Sequence, residues 1–194
     1  MLDYFILFVS WVIYFFLHSV LASNHVKDQL IGKVFANTRS YRLFYAVVST
    51  AGLLVILVIQ LYLPSQSIIE NNSWTQFAGL MFATFGLLII KASFRYISLK
   101  SFIGLETEKE IELIRRGLHR KVRHPIYSGT ILLAIGAVFF VPTDLMVVSA
   151  LSIFVYLPLG IMFEEEKLVK IYGVEYLTYK KTTPSILPEI KFLF

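Results

Sequence analysis

Every lysine and arginine in this chain falls into three short segments, and the runs between them carry no base at all. Four of the 18 bases lie in Ala22 to Arg42, nine in Lys91 to His124 and five in Glu164 to Phe194. The remaining polar connections hold only Asp3, Glu70 and Asp144. Bases near the ends of membrane spans stay on the cytoplasmic side. A chain whose bases appear at every second junction is therefore one that threads back and forth through a bilayer.

The apolar runs have the length this requires. Crossing the hydrocarbon core takes roughly 20 apolar residues, and five stretches approach it: Tyr4 to Leu21, Tyr45 to Leu63, Trp74 to Ile90, Tyr127 to Val141 and Leu145 to Phe163. With 57% hydrophobic residues, 16% charged residues and a mean hydropathy of +0.70, the chain is too apolar throughout for a soluble domain on one anchor. The expected fold is all-α, a polytopic integral membrane protein of about five transmembrane helices with a C-terminal helical hairpin and a cytosolic amphipathic tail. The N-terminus is expected outside and the C-terminus in the cytosol, in the inner membrane of a bacterium or archaeon.

One folded unit over residues 1–194 is expected: three spans in 1–97, a cytosolic connector in 98–126, the hairpin in 127–163 and a capping tail in 164–194. Val141-Pro142-Thr143-Asp144 leaves room only for a tight turn. Glu106 to Arg116 is rich in helix formers and ends at Gly117, which suits a helix C-terminus. Leu168, Ile171, Tyr172, Glu175, Tyr176 and Tyr179 share a helical stripe, so the tail should lie back on the hairpin. Pro158 should kink the last span. Trp11 and Trp74 read as span or interface aromatics, and Gly129 and Gly136 as points of close helix approach. Met1 to Leu21 lacks a basic leading segment, so it reads as a retained span.

Several chemistries are excluded. Without cysteine there is no disulfide, thiolate nucleophile or Cys metal site. Four histidines without paired spacing give no metal site. The pI near 9.3 comes from loops suited to an anionic inner leaflet, so membrane lipids are expected partners and nucleic acid is not.

Two polar signatures bracket the hairpin: Arg123-His124-Pro125-Ile126-Tyr127 before it and Glu164-Glu165-Glu166 after it. Pro125 suits the first turn of a helix, which places His124 near the cap and the positive end of the helix dipole at the cytosolic face. Arg123 offers a fork for a carboxylate, and Tyr127 offers a ring face for a cation. An antiparallel hairpin brings Glu164 and Glu165 level with them. A zwitterionic amino acid bearing a sulfonium would use all of these groups, and S-adenosylmethionine is such a compound. On that reading Arg123→Ala and Glu165→Ala should lose the ligand and stay folded. Plainer roles stay open: Arg123 as another basic anchor, His124 as a cap, and the acids as a solvated helix end.

The run Gly117-Leu118-His119-Arg120-Lys121-Val122-Arg123-His124-Pro125-Ile126-Tyr127, with Glu164-Glu165, Leu168, Tyr172-Gly173, Glu175-Tyr176, Tyr179 and Pro188, closely resembles the isoprenylcysteine carboxyl methyltransferase and phospholipid methyltransferase superfamily. Leu17 to Ser23, Tyr41 to Tyr45 and Phe102 to Leu105 are similar to methanethiol S-methyltransferases and NnrU-like membrane proteins. The resemblance implies a methyltransferase that takes S-adenosylmethionine from the cytosol. The implied cofactor-binding residues are Leu118, Arg123, His124, Pro125, Tyr127, Glu164, Glu165, Tyr176 and Tyr179, with Arg123 also catalytic. The implied acceptor is a lipophilic or small molecule, a thiol or carboxylate. A thiol must lose a proton to react, and His18, near the cytosolic end of span one, is the expected base. Sterol reductases share a related C-terminal framework and use NADPH, but this chain has no Gly-rich dinucleotide loop. A noncatalytic transporter or assembly factor is the remaining alternative.

Overall fold

A computed structural model describes residues 1–96 and 112–188. Among these the chain is helical: α1 (Leu2–Ala22), α2 (Asn24–Leu30), α3 (Thr38–Tyr62), α4 (Ser73–Ser93), a 3-10 turn (Gly117–Arg120), α5 (Pro125–Phe140), α6 (Asp144–Tyr172) and α7 (Val174–Thr182). Four of them, α1, α3, α4 and α6, are long and apolar enough to cross a membrane, and α5 is a shorter apolar helix. The protein is a polytopic membrane protein, as the charge pattern requires.

Local chemistry sets the boundaries. Asn37 and Asn72 close capping boxes with Ser40 and Thr75 at the starts of α3 and α4, supplying partners for otherwise orphaned N–H groups. Thr143 accepts from the Met146 N–H at the start of α6, so the tight turn after α5 forms as its sequence predicts. Asp144 then ties the ends opposite the bases together. Its carboxylate accepts from the Tyr4 hydroxyl at 2.7 Å, the Gln66 N–H at 3.0 Å and the Leu145 N–H at 2.7 Å. At the basic end, Lys167 donates to the Ala22 carbonyl at 2.5 Å and the Tyr41 hydroxyl to the Leu21 carbonyl at 2.6 Å.

The buried cluster of Leu7, Trp11, Ile56 and Leu145 joins α1, α3 and α6. Of the two sequence readings, Trp11 takes the span one, buried in the core: its indole donates to Ser149 at 3.0 Å, and Ser149 donates to Gln60 at 2.6 Å. Trp74 is exposed at the start of α4. Although the turn joins α5 to α6, α5 packs most extensively on α4. The reason is two facing glycine pairs. A Cβ on Gly86 would stand 2.7 Å from the Gly129 carbonyl oxygen, and one on Gly79 would stand 2.8 Å from that of Gly136. Backbones this close gain dispersion contacts that any side chain would forbid.

Two expectations are corrected. Most of Glu106 to Arg116 lies outside the described residues, as do Phe102 to Leu105, but Glu112 to Arg115 are not helical and Gly117 opens a 3-10 turn rather than ending a helix. The tail is not one stripe. Helix α6 continues to Tyr172, Gly173 breaks it at φ +55°, and α7 starts afresh at Val174. Pro158 lies inside α6, which continues past it to Tyr172.

Length places the site. At 1.5 Å per residue, the 16 residues of α5 span about 24 Å, short of the roughly 30 Å core. The 29 residues of α6 span about 43 Å. If Asp144 marks one face, the other is reached near Phe163, so the acids start where the bilayer core ends while α5 starts within it.

Gly86→Leu should lower stability by about 1–3 kcal/mol through overpacking against Gly129, read as a drop in detergent melting temperature. Leu88→Ala, on the exposed face of the same helix, should change it little.

Candidate functional site

Arg123 and His124 stand at the entrance to α5, and Glu165 sits on α6 past its apolar part. Their side chains meet. The guanidinium donates from Nε at 2.9 Å and from an Nη at 2.7 Å to a single Glu165 oxygen, Oε1. His124 Nε2 lies 3.1 Å from that same oxygen, and Lys180 Nζ lies 2.6 Å from the other. The side chains of Arg123, His124 and Glu165 are 9%, 3% and 8% exposed. Buried charges persist only when paired and hydrogen-bonded, and Glu165 has three such partners.

His124 occupies the cap position of α5, yet its side chain makes no cap hydrogen bond. It turns instead to the acids, with Nδ1 3.6 Å from Glu164 Oε2. Glu164 differs from its neighbour in that its side chain is 47% exposed. Tyr127, half-buried in the first turn of α5, lies beside Glu164, and its ring lies 5.6 Å from the His124 ring. The result is an inward acid locked by cations and an outward acid backed by an imidazole and a phenol.

The tail closes the other side. Arg123 donates through its second Nη to the carbonyls of Lys180 and Thr183. The backbone N–H groups of Arg123 and His124 donate to Pro184 and Ser185, each at 2.9 Å, and Ser128 donates to Ile186 at 2.6 Å. Four of the five guanidinium N–H groups are therefore engaged among the described residues. Tyr176 is almost wholly buried on α7, and its hydroxyl has no hydrogen-bond partner among the described residues. Burial, with the Glu165 carboxylate nearby, raises its pKa. Tyr179 donates to the His119 carbonyl, and burial pushes its hydroxyl up to about 12. Burial, and then His124 across from it, lowers the His119 pKa.

The structure thus brings together Arg123, His124, Pro125, Tyr127, Glu164, Glu165, Tyr176 and Tyr179. Leu118 is one step removed, on the 3-10 turn, where its carbonyl accepts from Lys121 and Val122. His18 stands apart from the Arg123–Glu165 pair. It faces α3, with Nε2 2.9 Å from the Tyr45 hydroxyl and Nδ1 3.2 Å from Ser49. Lys180, Tyr45 and Ser49 escaped the sequence reading. Lys180 had a usable signal, since it lies one turn after Tyr176 on the face that α7 buries. Tyr45 ends the Tyr41 to Tyr45 stretch that carries part of the resemblance, but its contact with His18, like that of Ser49, depends on the pairing of α1 with α3, which is not legible in apolar runs. Burial also corrects one expectation: removing Arg123 or Glu165 would strand a buried partner and disturb folding as well as any ligand.

Comparison with known proteins fits this architecture. The phospholipid methyltransferase family matches residues 74–175, and the chain belongs to that family. It is 27% identical over 175 residues to protein-S-isoprenylcysteine O-methyltransferase of Homo sapiens, covering 89% of this chain and 60% of that protein. It is 26% identical over 123 residues to protein-S-isoprenylcysteine O-methyltransferase A of Arabidopsis thaliana, 62% of each. It is 32% identical over 77 residues to methanethiol S-methyltransferase of Pseudomonas deceptionensis, covering 38% of this chain and 28% of that protein. The chain spans about three fifths of the length of the isoprenylcysteine methyltransferases it matches. No solved structure matches.

Glu165→Ala should destabilise the protein by about 3–5 kcal/mol, because Arg123 is left buried and uncompensated. Glu166→Ala, on the exposed side of the same turn, should stay within about 0.5 kcal/mol. Denaturant unfolding in detergent distinguishes the two.

Proposed function

We propose that this chain is a membrane methyltransferase that uses S-adenosylmethionine, and that the donor binds where α5, α6 and α7 converge at the basic end. The observation that carries this reading is the closure of Arg123, His124 and Glu165 around one another at the recessed start of α5, with the Glu164 carboxylate left facing outward beside Tyr127.

The residues suit such a donor. Glu164 is an accessible carboxylate for an ammonium group. The Tyr176 hydroxyl is a buried group lacking a partner among the described residues, and an unsatisfied buried hydroxyl is costly unless a ligand completes it. Tyr127 presents an aromatic face suited to a sulfonium. Arg123 takes a different part from the one its sequence position suggests. With most of its donors committed to Glu165 and the tail, it acts as a positioning residue, holding α5 and α7 together beneath the ligand. Pro125 and Tyr179 frame the same convergence, with Leu118 behind them on the 3-10 turn.

The donor supplies an electrophilic methyl carbon on a positively charged sulfur, and the protein's work is alignment and exclusion of water. Orientation alone can supply roughly 7–11 kcal/mol. The favoured acceptor is a small or lipophilic thiol or carboxylate arriving from the bilayer. A carboxylate needs no base, whereas a thiol does. His18, held between Tyr45 and Ser49, is the group we assign to take that proton.

Two measurements test this. Purified protein should be stabilised by S-adenosylhomocysteine and not by NADPH, and Glu164→Ala should weaken that ligand about 10- to 100-fold, the loss of a charged hydrogen bond. Stabilisation by NADPH alone would overturn the reading. His18→Gln should cut labelled-methyl transfer to a thiol by roughly 10²–10⁴-fold and leave S-adenosylhomocysteine affinity unchanged; a wild-type transfer rate in that variant would remove His18 from the mechanism.

A further inference from the structure

An apolar groove lies away from the convergence of α5, α6 and α7. It runs along the outward face of α1 and α6, encloses about 630 Å³, and is lined by none of Arg123, His124, Tyr127 or Glu165. Its walls are Phe8, Val12 and Phe16 from α1 and Val155, Leu159 and Phe163 from α6, all exposed. The floor is closed by Tyr156, which stacks on Phe15 at 4.0 Å and hydrogen-bonds Ser19 at 2.8 Å. We infer that this groove binds one anionic phospholipid, with an acyl chain along the apolar walls and the headgroup at the lysines of its basic end.

Length and charge both point to that occupant. Along α1 the lining runs from Phe8 to Ser23, about 22 Å at 1.5 Å per residue. Half of a roughly 30 Å core is about 15 Å, so the groove accommodates a monolayer chain and continues into the headgroup region. Charged groups line it at that end only: Lys167, Lys170 and Glu166, beside the exposed His25. Lys27 on α2 adds a third ammonium near Lys167, and Glu164 lies on the other side of Lys167. Lys167 spends one donor on the Ala22 carbonyl, which fixes its position and leaves two N–H groups. Three ammonium groups, Lys27, Lys167 and Lys170, against two acids, Glu164 and Glu166, leave the mouth positive and call for a negative headgroup, and basic pockets on the cytoplasmic side of helix pairs hold such lipids. A zwitterionic headgroup brings no net charge to balance them. This inference does not depend on the methyl-transfer reading.

Native mass spectrometry of the full chain from neutral detergent, with phosphatidylglycerol or phosphatidylcholine of identical chains, tests it. One phosphatidylglycerol should be retained per chain, at least fivefold more than phosphatidylcholine. Lys170→Glu should reduce that retention at least fivefold, and Leu159→Trp, which fills the apolar wall and leaves every charge in place, should abolish it. Leu159 and Lys170 are both exposed, so thermal unfolding in phosphatidylcholine should match wild type and report that the variants fold. Equal retention of the two lipids, or wild-type retention in both folded variants, overturns the proposal. So does a thermal shift produced by inorganic phosphate equal to that produced by phosphatidylglycerol, which would mean an anion site with no use for the groove.

Discussion

One buried carboxylate organises the basic end of this molecule. Glu165 on α6 receives Arg123 and His124, neighbours at the entrance of α5, and Lys180 from α7, so three elements meet at one carboxylate. Desolvating a carboxylate costs several kcal/mol, repaid only by well-placed partners. The three elements must therefore converge together or not at all. The length mismatch between α5 and α6 makes this possible, because α5 starts below the level at which α6 leaves the bilayer core. The acids of α6 can then reach down to the start of α5, and α7 can fold back over both.

The same end shows a division of labour between adjacent acids. Glu165 is satisfied by protein cations and built into the framework. Glu164, one residue earlier and so rotated by about 100° on the helix, keeps its carboxylate half in the open while His124 and Tyr127 hold it from behind. A framework acid beside a presented acid is an economical way to aim charge at a ligand. The glycine pairs between α4 and α5 serve the same end at a distance, fixing the helix whose start carries Arg123 and His124.

Much of this was legible in the residues. Uncharged runs broken by bases at alternate junctions gave the spans and their alternation, and Pro125 gave the start of α5 to the residue. The two polar signatures pointed to the contact between Arg123 and Glu165, because a short turn at Pro142 forces their helices to be antiparallel. What was not legible depends on packing. A stripe drawn through Tyr172 and Tyr176 cannot show that Gly173 takes a positive φ and starts a new helix. Trp11 looks like any aromatic in an apolar run until Ser149 is found opposite it. The commitment of Arg123 to the protein rather than to a ligand follows from Lys180 and Thr183, residues 57 and 60 positions away, which no local pattern reveals.

Hydrogen–deuterium exchange of the detergent-solubilised protein, with and without S-adenosylhomocysteine, tests the central claim most directly. If the convergence of α5, α6 and α7 is the donor site, protection should appear at the start of α5 around His124 to Ser128 and in α7 around Tyr176 to Thr183. Protection confined to α1 and α3, or none at saturating ligand, would contradict it.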